Sequence, residues 1–288
     1  MSDHQPTGAA YEDTGTKHPY HMVNPSIWPL VGAFAAGLLA ISAVLMMHKV
    51  EWSGLKFGMT EVYIGLAAVI AVMWFWWRDI IKEAVVERVH TAFAKKGLRY
   101  GMALFITSEV MFFFAFFWAF FSSALFPVES IGGVWPPPGQ KVIDPFDLPF
   151  MMTIILLLSG TTCTWAHHAI LENKMKEAGK ALAYTIALGV LFTGFQAYEY
   201  VHAPFNFVDG IYASTFFMAT GFHGFHVLIG TIFLIVCYFR TIKGHFTPDS
   251  HFGFEAAAWY WHFVDVVWLF LFVSIYWWGG AGGIVAVH

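Results

Sequence analysis

One stretch constrains this chain more than any other. From Leu104 to Leu125, the run Leu-Phe-Ile-Thr-Ser-Glu109-Val-Met-Phe-Phe-Phe-Ala-Phe-Phe-Trp-Ala-Phe-Phe sets one ionisable group among apolar or small residues. A run that long without turn signals predicts a membrane-spanning helix. Backbone polar groups in lipid must be satisfied within the segment, and a single segment can do that only as a helix. Glu109 then lies about 12 Å along the helix from Gly101 at 1.5 Å per residue. An acid at such a depth costs roughly 2.5–3.5 kcal/mol on insertion scales, so it is expected to face protein or water rather than lipid. Two roles stay open for it: a hydrogen bond to a neighbouring helix, or a proton-handling or regulatory site.

The rest of the chain agrees with that environment. Of its 288 residues, 58% are hydrophobic and only 12% are charged. Soluble domains carry about 25% charged residues, so half that fraction argues for a polytopic membrane protein. The net charge is −4 and no basic face stands out, which argues against a nucleic-acid partner. Cys163 and Cys237 fall in separate apolar runs and read as small core residues rather than a disulfide. The segment 1–26 is polar and lacks a basic-then-apolar pattern, so no cleaved leader is expected.

Seven spans follow in order: Ile27 to Met47, Glu61 to Trp77, Gly101 to Phe126, Phe150 to His168, Ala181 to Val201, Tyr212 to Phe239 and Phe254 to Trp278. Trp74, Trp76 and Trp77 suit an interfacial aromatic belt. Between the second and third spans, Arg78 to Arg99 interleaves charges with Ile80, Ile81, Val85, Val86, Val89 and Phe93, which predicts an amphipathic surface helix with basic residues toward lipid phosphate. The loop from Pro127 to Pro149, with Trp135-Pro136-Pro137-Pro138-Gly139, cannot be helical throughout. The expected organisation is a tail (1–26), two helices with the surface helix (27–98) and a five-helix bundle (99–288). Counting Lys and Arg loop by loop puts twelve of the fifteen on one side, Lys17, Arg88 and Lys174 among them, and only Lys49, Lys56 and Lys141 on the other. The positive-inside rule then places the amino terminus inside and the carboxyl terminus outside.

Fourteen histidines invite a metal or haem reading. Two Glu-x-x-His pairs, Glu87/His90 and Glu199/His202, have the spacing used in carboxylate-bridged di-iron bundles. The topology puts them at opposite ends of a bilayer about 30 Å thick, so they cannot share a metal. His223 and His226 share one face of the sixth span, and His262 and Asp265 lie on the seventh, with Glu255 one heptad before His262. Inter-helix hydrogen bonding is favoured over ligation for these groups, because a metal site needs three or four convergent ligands. His167 and His168 end the fourth span at the interface. Small residues in three spans (Gly32/Ala36, Gly189/Thr193, Gly221/Gly224) permit close helix packing. No phosphate loop, Ser-His-Asp order or Cys-x-x-Cys appears, so no residue set for soluble-type catalysis is visible.

Several passages nonetheless identify a family. They are Gly-Leu-Arg-Tyr-Gly-Met (97–102), Ser-Glu-Val-Met-Phe-Phe (108–113), Trp-Pro-Pro-Pro-Gly (135–139), Thr-Trp-Ala-His-His (164–168), Gly-Phe-His-Gly-Phe-His (221–226) and the block from His251 to Phe270. From about His18 to Trp278 the chain resembles subunit III of the haem-copper cytochrome c oxidases. That resemblance implies an all-α fold of seven transmembrane helices, two against five, with lipids in a V-shaped cleft. It implies that this chain binds no haem or copper, which reside as haem a and copper in partner subunits. It also implies contact mainly with subunit I, with subunit II in the same complex and cytochrome c as electron donor.

The expected role is a non-catalytic one within an oxidoreductase that pumps protons: support of proton uptake, protection against turnover inactivation and retention of structural phospholipids. The family's buried acid matches Glu109. Its lipid-contacting positions match Arg78, Lys82, Glu83, His90, His226, Arg240, Lys243 and Glu255. Lys82 replaces an Arg of some relatives, keeping the charge and losing the bidentate fork. A quinol-oxidase subunit III is the alternative, but it usually lacks the first two helices, both of which are present here, and an independent transporter is less favoured because the chain lacks inverted repeats. The tail before His18 is longer than in mitochondrial relatives, so the expectation is a bacterial inner membrane, cytoplasmic amino terminus and periplasmic carboxyl terminus, with the mitochondrial inner membrane as the alternative.

Overall fold

Every expected span is a helix in the computed structural model, which describes residues 25–52, 55–87 and 90–285. The tail before residue 25, with Lys17 and His18, lies outside the described residues, as does Arg88. Seven helices are long and apolar enough to cross a bilayer. The chain is therefore a helical, multi-pass membrane protein. It divides into two units, the first ending at Gly97 and the second beginning at Leu98.

The first unit is a helical hairpin. Helix α1 (Trp28–Met47) carries a proline in its first turn, where the missing N–H is no loss. A two-residue ribbon, β1 (Glu51–Trp52) antiparallel to β2 (Leu55–Lys56), leads to α2 (Met59–Lys82). The carboxylate of Glu61 accepts the Gly58 N–H at 2.8 Å and so satisfies an orphan donor at the helix start. The two helices touch where Gly65 faces Leu39: a Cβ there would stand 2.7 Å from the Leu39 Cα, so only glycine allows this approach. At the other end Trp28 stacks on Phe75 at 5.7 Å and donates its indole N–H to Asp79 at 2.6 Å.

Arg78 to Arg99 is not one surface helix. Arg78 to Lys82 are the last residues of α2, Glu83–Glu87 form a π-helical turn, and Ala92 to Arg99 open α3 (Ala92–Leu125). Ala92, Ala94, Lys95, Lys96, Leu98 and Arg99 are strong helix formers, so the helix starts well before the apolar run. The charged stretch is instead shared between the end of α2 and the start of α3, which extend beyond their apolar runs.

In the second unit four helices close a ring: α4 (Leu148–Leu171), α5 (Met175–His202), α6 (Ile211–Ile242) and α7 (Phe252–Leu271), each packed on the next and α7 on α4. Two fully buried tryptophans of α7 fill it. Their indole N–H groups donate to α4, Trp261 to the Ser159 hydroxyl and Trp268 to the Thr153 hydroxyl, both at 2.9 Å. Trp261 lies flat between α5 and α6, because a Cβ on Gly189 or Gly230 would come within 2.8 or 2.9 Å of its ring. Of the small residues expected to aid packing, Gly189 makes room for this ring, whereas Gly224 makes room for Gln196. Helix α3 lies outside the ring on the α6/α7 side, held by phenylalanines: Phe116 on Phe222 (4.8 Å), Phe113 on Phe263 (6.0 Å) and Phe117 on Phe270 (4.7 Å).

Helix α7 continues as a π-helical segment, Phe272–Trp278. The Pro-rich loop folds over this end. Its Trp135 donates to the Gly279 carbonyl at 3.0 Å, and β3 (Lys141–Val142) pairs in parallel with β4 (Ile284–Val285). Cys163 and Cys237 are buried free thiols, as expected.

Candidate functional site

Glu109 meets His226. Its Oε2 stands 2.8 Å from His226 Nε2, which joins α3 to α6, and the two side chains are 20% and 8% exposed. His226 Nδ1–H donates to the Phe222 carbonyl at 2.7 Å, so only Nε2 is left for the acid. A proton must therefore lie between Nε2 and Oε2. The pair is either imidazole with carboxylic acid or imidazolium with carboxylate, and it is neutral overall in both forms. That neutrality makes two ionisable groups tolerable within a bundle at membrane depth. Phe113 and Tyr260 flank the imidazole, at 4.9 and 6.2 Å between ring centres.

This geometry predicts the outcome of substitution. In Glu109→Gln the new amide N–H can still donate to Nε2, so the chain should assemble with its partners as the wild type does. Glu109→Leu leaves Nε2 buried without a partner and should cost about 1–3 kcal/mol. The amount of chain recovered in purified complex distinguishes the two. Failure of the Gln variant to assemble would show that the charged pair is the structural form.

Other described histidines make packing contacts. His223, three residues before His226, turns into the ring and donates Nε2–H to the Val264 carbonyl at 3.1 Å, against Trp268 at 5.1 Å. Its Nδ1 is buried without a partner. Neither Glu-x-x-His pair forms half of a metal site. Glu87 pairs with Lys82 at 3.4 Å. Glu199 is buried and accepts the Tyr276 hydroxyl at 2.7 Å, whereas His202 stacks on Tyr198 at 4.0 Å. Among the described residues, no three His, Cys, Asp or Glu side chains converge.

Sequence reasoning missed the Glu199–Tyr276 bond. Tyr276 lies in the π-helical segment, where the wider turn shifts side chains off the face that a 3.6-residue period would assign. His262, by contrast, lies half-exposed on the ring's outer surface, its Nδ1 3.6 Å from Asp265 Oδ2.

The cationic positions divide between the units. In the first, Arg78 pairs loosely with Asp79 at 3.4 Å and lies over Phe75 at 5.1 Å. Lys82 pairs with Glu87, Glu83 lies in the π-helical turn, and His90 is half-buried. In the second, Glu255 is engaged by Arg99 at 2.9 Å. Arg240 differs from these. Its guanidinium lies over Phe246 at 4.4 Å and fills the space at Gly253 where a Cβ would sit. Its Nε is buried with no acceptor, and it forms no ion pair among the described residues. Lys243 is exposed nearby in sequence, and His245 is half-buried with an unpartnered Nδ1. Burial, and then the charges of Arg240 and Lys243, hold the His245 imidazole below its ordinary pKa.

Comparison with known proteins bears on the whole chain. The family described as cytochrome c oxidase subunit III matches residues 18–280. A protein called cytochrome c oxidase subunit 3 from Marchantia polymorpha is 58% identical over 264 residues, covering 92% of this chain and 98% of that protein. Proteins of the same name from Arabidopsis thaliana and Danio rerio are each 56% identical, over 92% and 91% of this chain and 98% of each relative. These relatives are plants and a fish and lend no support to the bacterial source expected from the tail. With seven spanning helices and such similarity along nearly its full length, the chain belongs to the cytochrome c oxidase subunit III family, a component of an oxidoreductase complex.

Proposed function

We propose that this chain is the non-catalytic subunit III of the respiratory enzyme that passes electrons from cytochrome c to oxygen, and that it retains phospholipid and supports proton uptake. Haem a and copper belong to companion subunits, with subunit I the main neighbour and subunit II in the same complex. The amino terminus lies inside by the distribution of Lys and Arg.

The observation that carries the lipid role is Arg240. A guanidinium fixed over an aromatic ring, with a buried Nε lacking an acceptor, is prepared for an anion. A lipid phosphate at the membrane interface supplies one, and Lys243 and His245 add charge beside it. The Glu109–His226 pair supports the proton role, since it keeps one proton between two helices in an otherwise apolar wall.

Two measurements test the reading. The chain should copurify from native membranes with a haem a–copper enzyme; isolation as a lone, active transporter would sink it. Phosphorus analysis of that enzyme should show phospholipid that Arg240→Ala releases. The pH dependence has a definite sign. Burial and the neighbouring cations disfavour the charged form of His245, a bound phosphate favours the imidazolium, and so binding raises its pKa. By linkage affinity rises as pH falls. Lipid should be retained better at about pH 6 than at about pH 8, and His245→Ala should flatten the difference.

A further inference from the structure

We propose that the seam between α4 and α7 docks a transmembrane helix of a companion oxidase subunit, which covers His262 with a hydrogen-bonding side chain; this rests on the oxidase reading above. Asp265 lies thirteen residues from either end of the Phe252–Trp278 span, which is about 20 Å at 1.5 Å per residue and close to mid-depth. His262 and Thr164 lie beside it. The Asp265 carboxylate presses against α4 at Gly160, where any Cβ would overlap Oδ2. Asp265 is nearly closed off, its side chain 8% exposed, but His262 is 43% exposed.

The chain's own bonds do not satisfy this seam. His262 Nδ1 is 3.6 Å from Asp265 Oδ2, and Nε2 is 3.3 Å from the Thr164 hydroxyl. Both are long beside the 2.8 Å of Glu109–His226. Asp265 Oδ1 has no partner. Leu157 and Thr161 on α4, within two turns before Thr164, and Val266 on α7, one turn after His262, are exposed, so the polar seam opens sideways among mostly apolar groups. Lipid tails offer neither donor nor acceptor, and polar side chains at this depth face protein or a water-filled space.

The α6/α7 seam of the same ring shows what such a site requires. There a histidine on the ring, His226, is capped by a helix that brings an acid to it. No other helix of this chain can do the same for His262. α3 is committed to the α6/α7 side. The middle of α1 reads Ala-Gly-Leu-Leu-Ala-Ile and that of α2 Ala-Ala-Val-Ile-Ala-Val, so neither carries an acid, amide or hydroxyl at mid-depth except Ser42, which is buried within the hairpin. The occupant is therefore a helix of another chain, and it carries an acid, amide or hydroxyl at mid-depth. Polar contacts of this kind are a common link between membrane helices.

The test uses the assembled oxidase in native membranes. Thr161→Cys labelled with a benzophenone maleimide should, on illumination, couple this chain to a companion subunit. His262→Ala should lower recovery of this chain in the purified complex about ten-fold, and His262→Gln, which keeps hydrogen bonding, should restore it. If the chain copurifies normally but Thr161→Cys couples only to phospholipid, or to α1 or α2 of its own chain, the docking surface is wrong and the oxidase reading survives. If the chain never copurifies with the oxidase, both fall.

Discussion

Oxidase stripped of this chain should reduce oxygen at close to its normal initial rate, then lose activity within a limited number of turnovers, several-fold faster than intact enzyme. If, as proposed, the redox centres lie in companion subunits, removing this chain leaves them in place. What would be lost is support: the proposed phospholipid and the Glu109–His226 pair. Proton uptake should slow most at higher pH, where protons are scarce. Replacing Arg78 and Arg240 together with Ala should reproduce part of the decay, because Arg240 is the proposed phosphate ligand and Arg78, only loosely paired with Asp79, is the other guanidinium proposed to meet lipid headgroups. The measurement is activity against turnover number for intact, stripped and doubly substituted enzyme. A stripped enzyme that is inert from the first turnover would refute the supporting role.

Trp261→Ala should be the most damaging single substitution in the ring. The indole is fully buried, lies flat between Gly189 and Gly230 and donates to Ser159. The two glycines leave no side chain able to swing into the vacated volume, so the cavity cannot collapse without moving helices. Truncating a large buried aromatic costs about 3–5 kcal/mol, and Ser159 loses its donor as well. Since a typical folded chain is stable by only about 5–15 kcal/mol, the variant should be recovered in small amounts and should dissociate from the oxidase at lower temperature. Gly230→Leu should do comparable harm from the opposite side, by forcing the Trp261 ring out of its slot. Thermal dissociation of the purified complex measures both. Wild-type behaviour of either variant would mean that the ring does not depend on this packing.

The sequence by itself determined the seven spans, because a long apolar run in lipid has one backbone solution, and composition alone reveals such runs. It also singled out Glu109 as unable to face lipid, and the passages from Gly97 to Phe270 identified the family before any coordinates. Its errors lay at the interface. Arg78 to Arg99 has the charge pattern of a surface helix, but the chain continues α2 and begins α3 there, because helix propensity and hydrogen bonding do not stop where hydrophobicity does.

Which polar groups meet was beyond the sequence. His223 and His226 share one helix face by spacing, yet one enters the ring and the other reaches out to Glu109. Glu199 and His202 have metal-like spacing, yet the acid finds Tyr276 across a π-helical turn while the histidine lies on Tyr198. Periodicity fixes the direction of a side chain on its own helix. Its partner depends on how far apart the helices stand and how they are rotated, and here that was decided in three dimensions, by glycines at Trp261 and phenylalanines along α3.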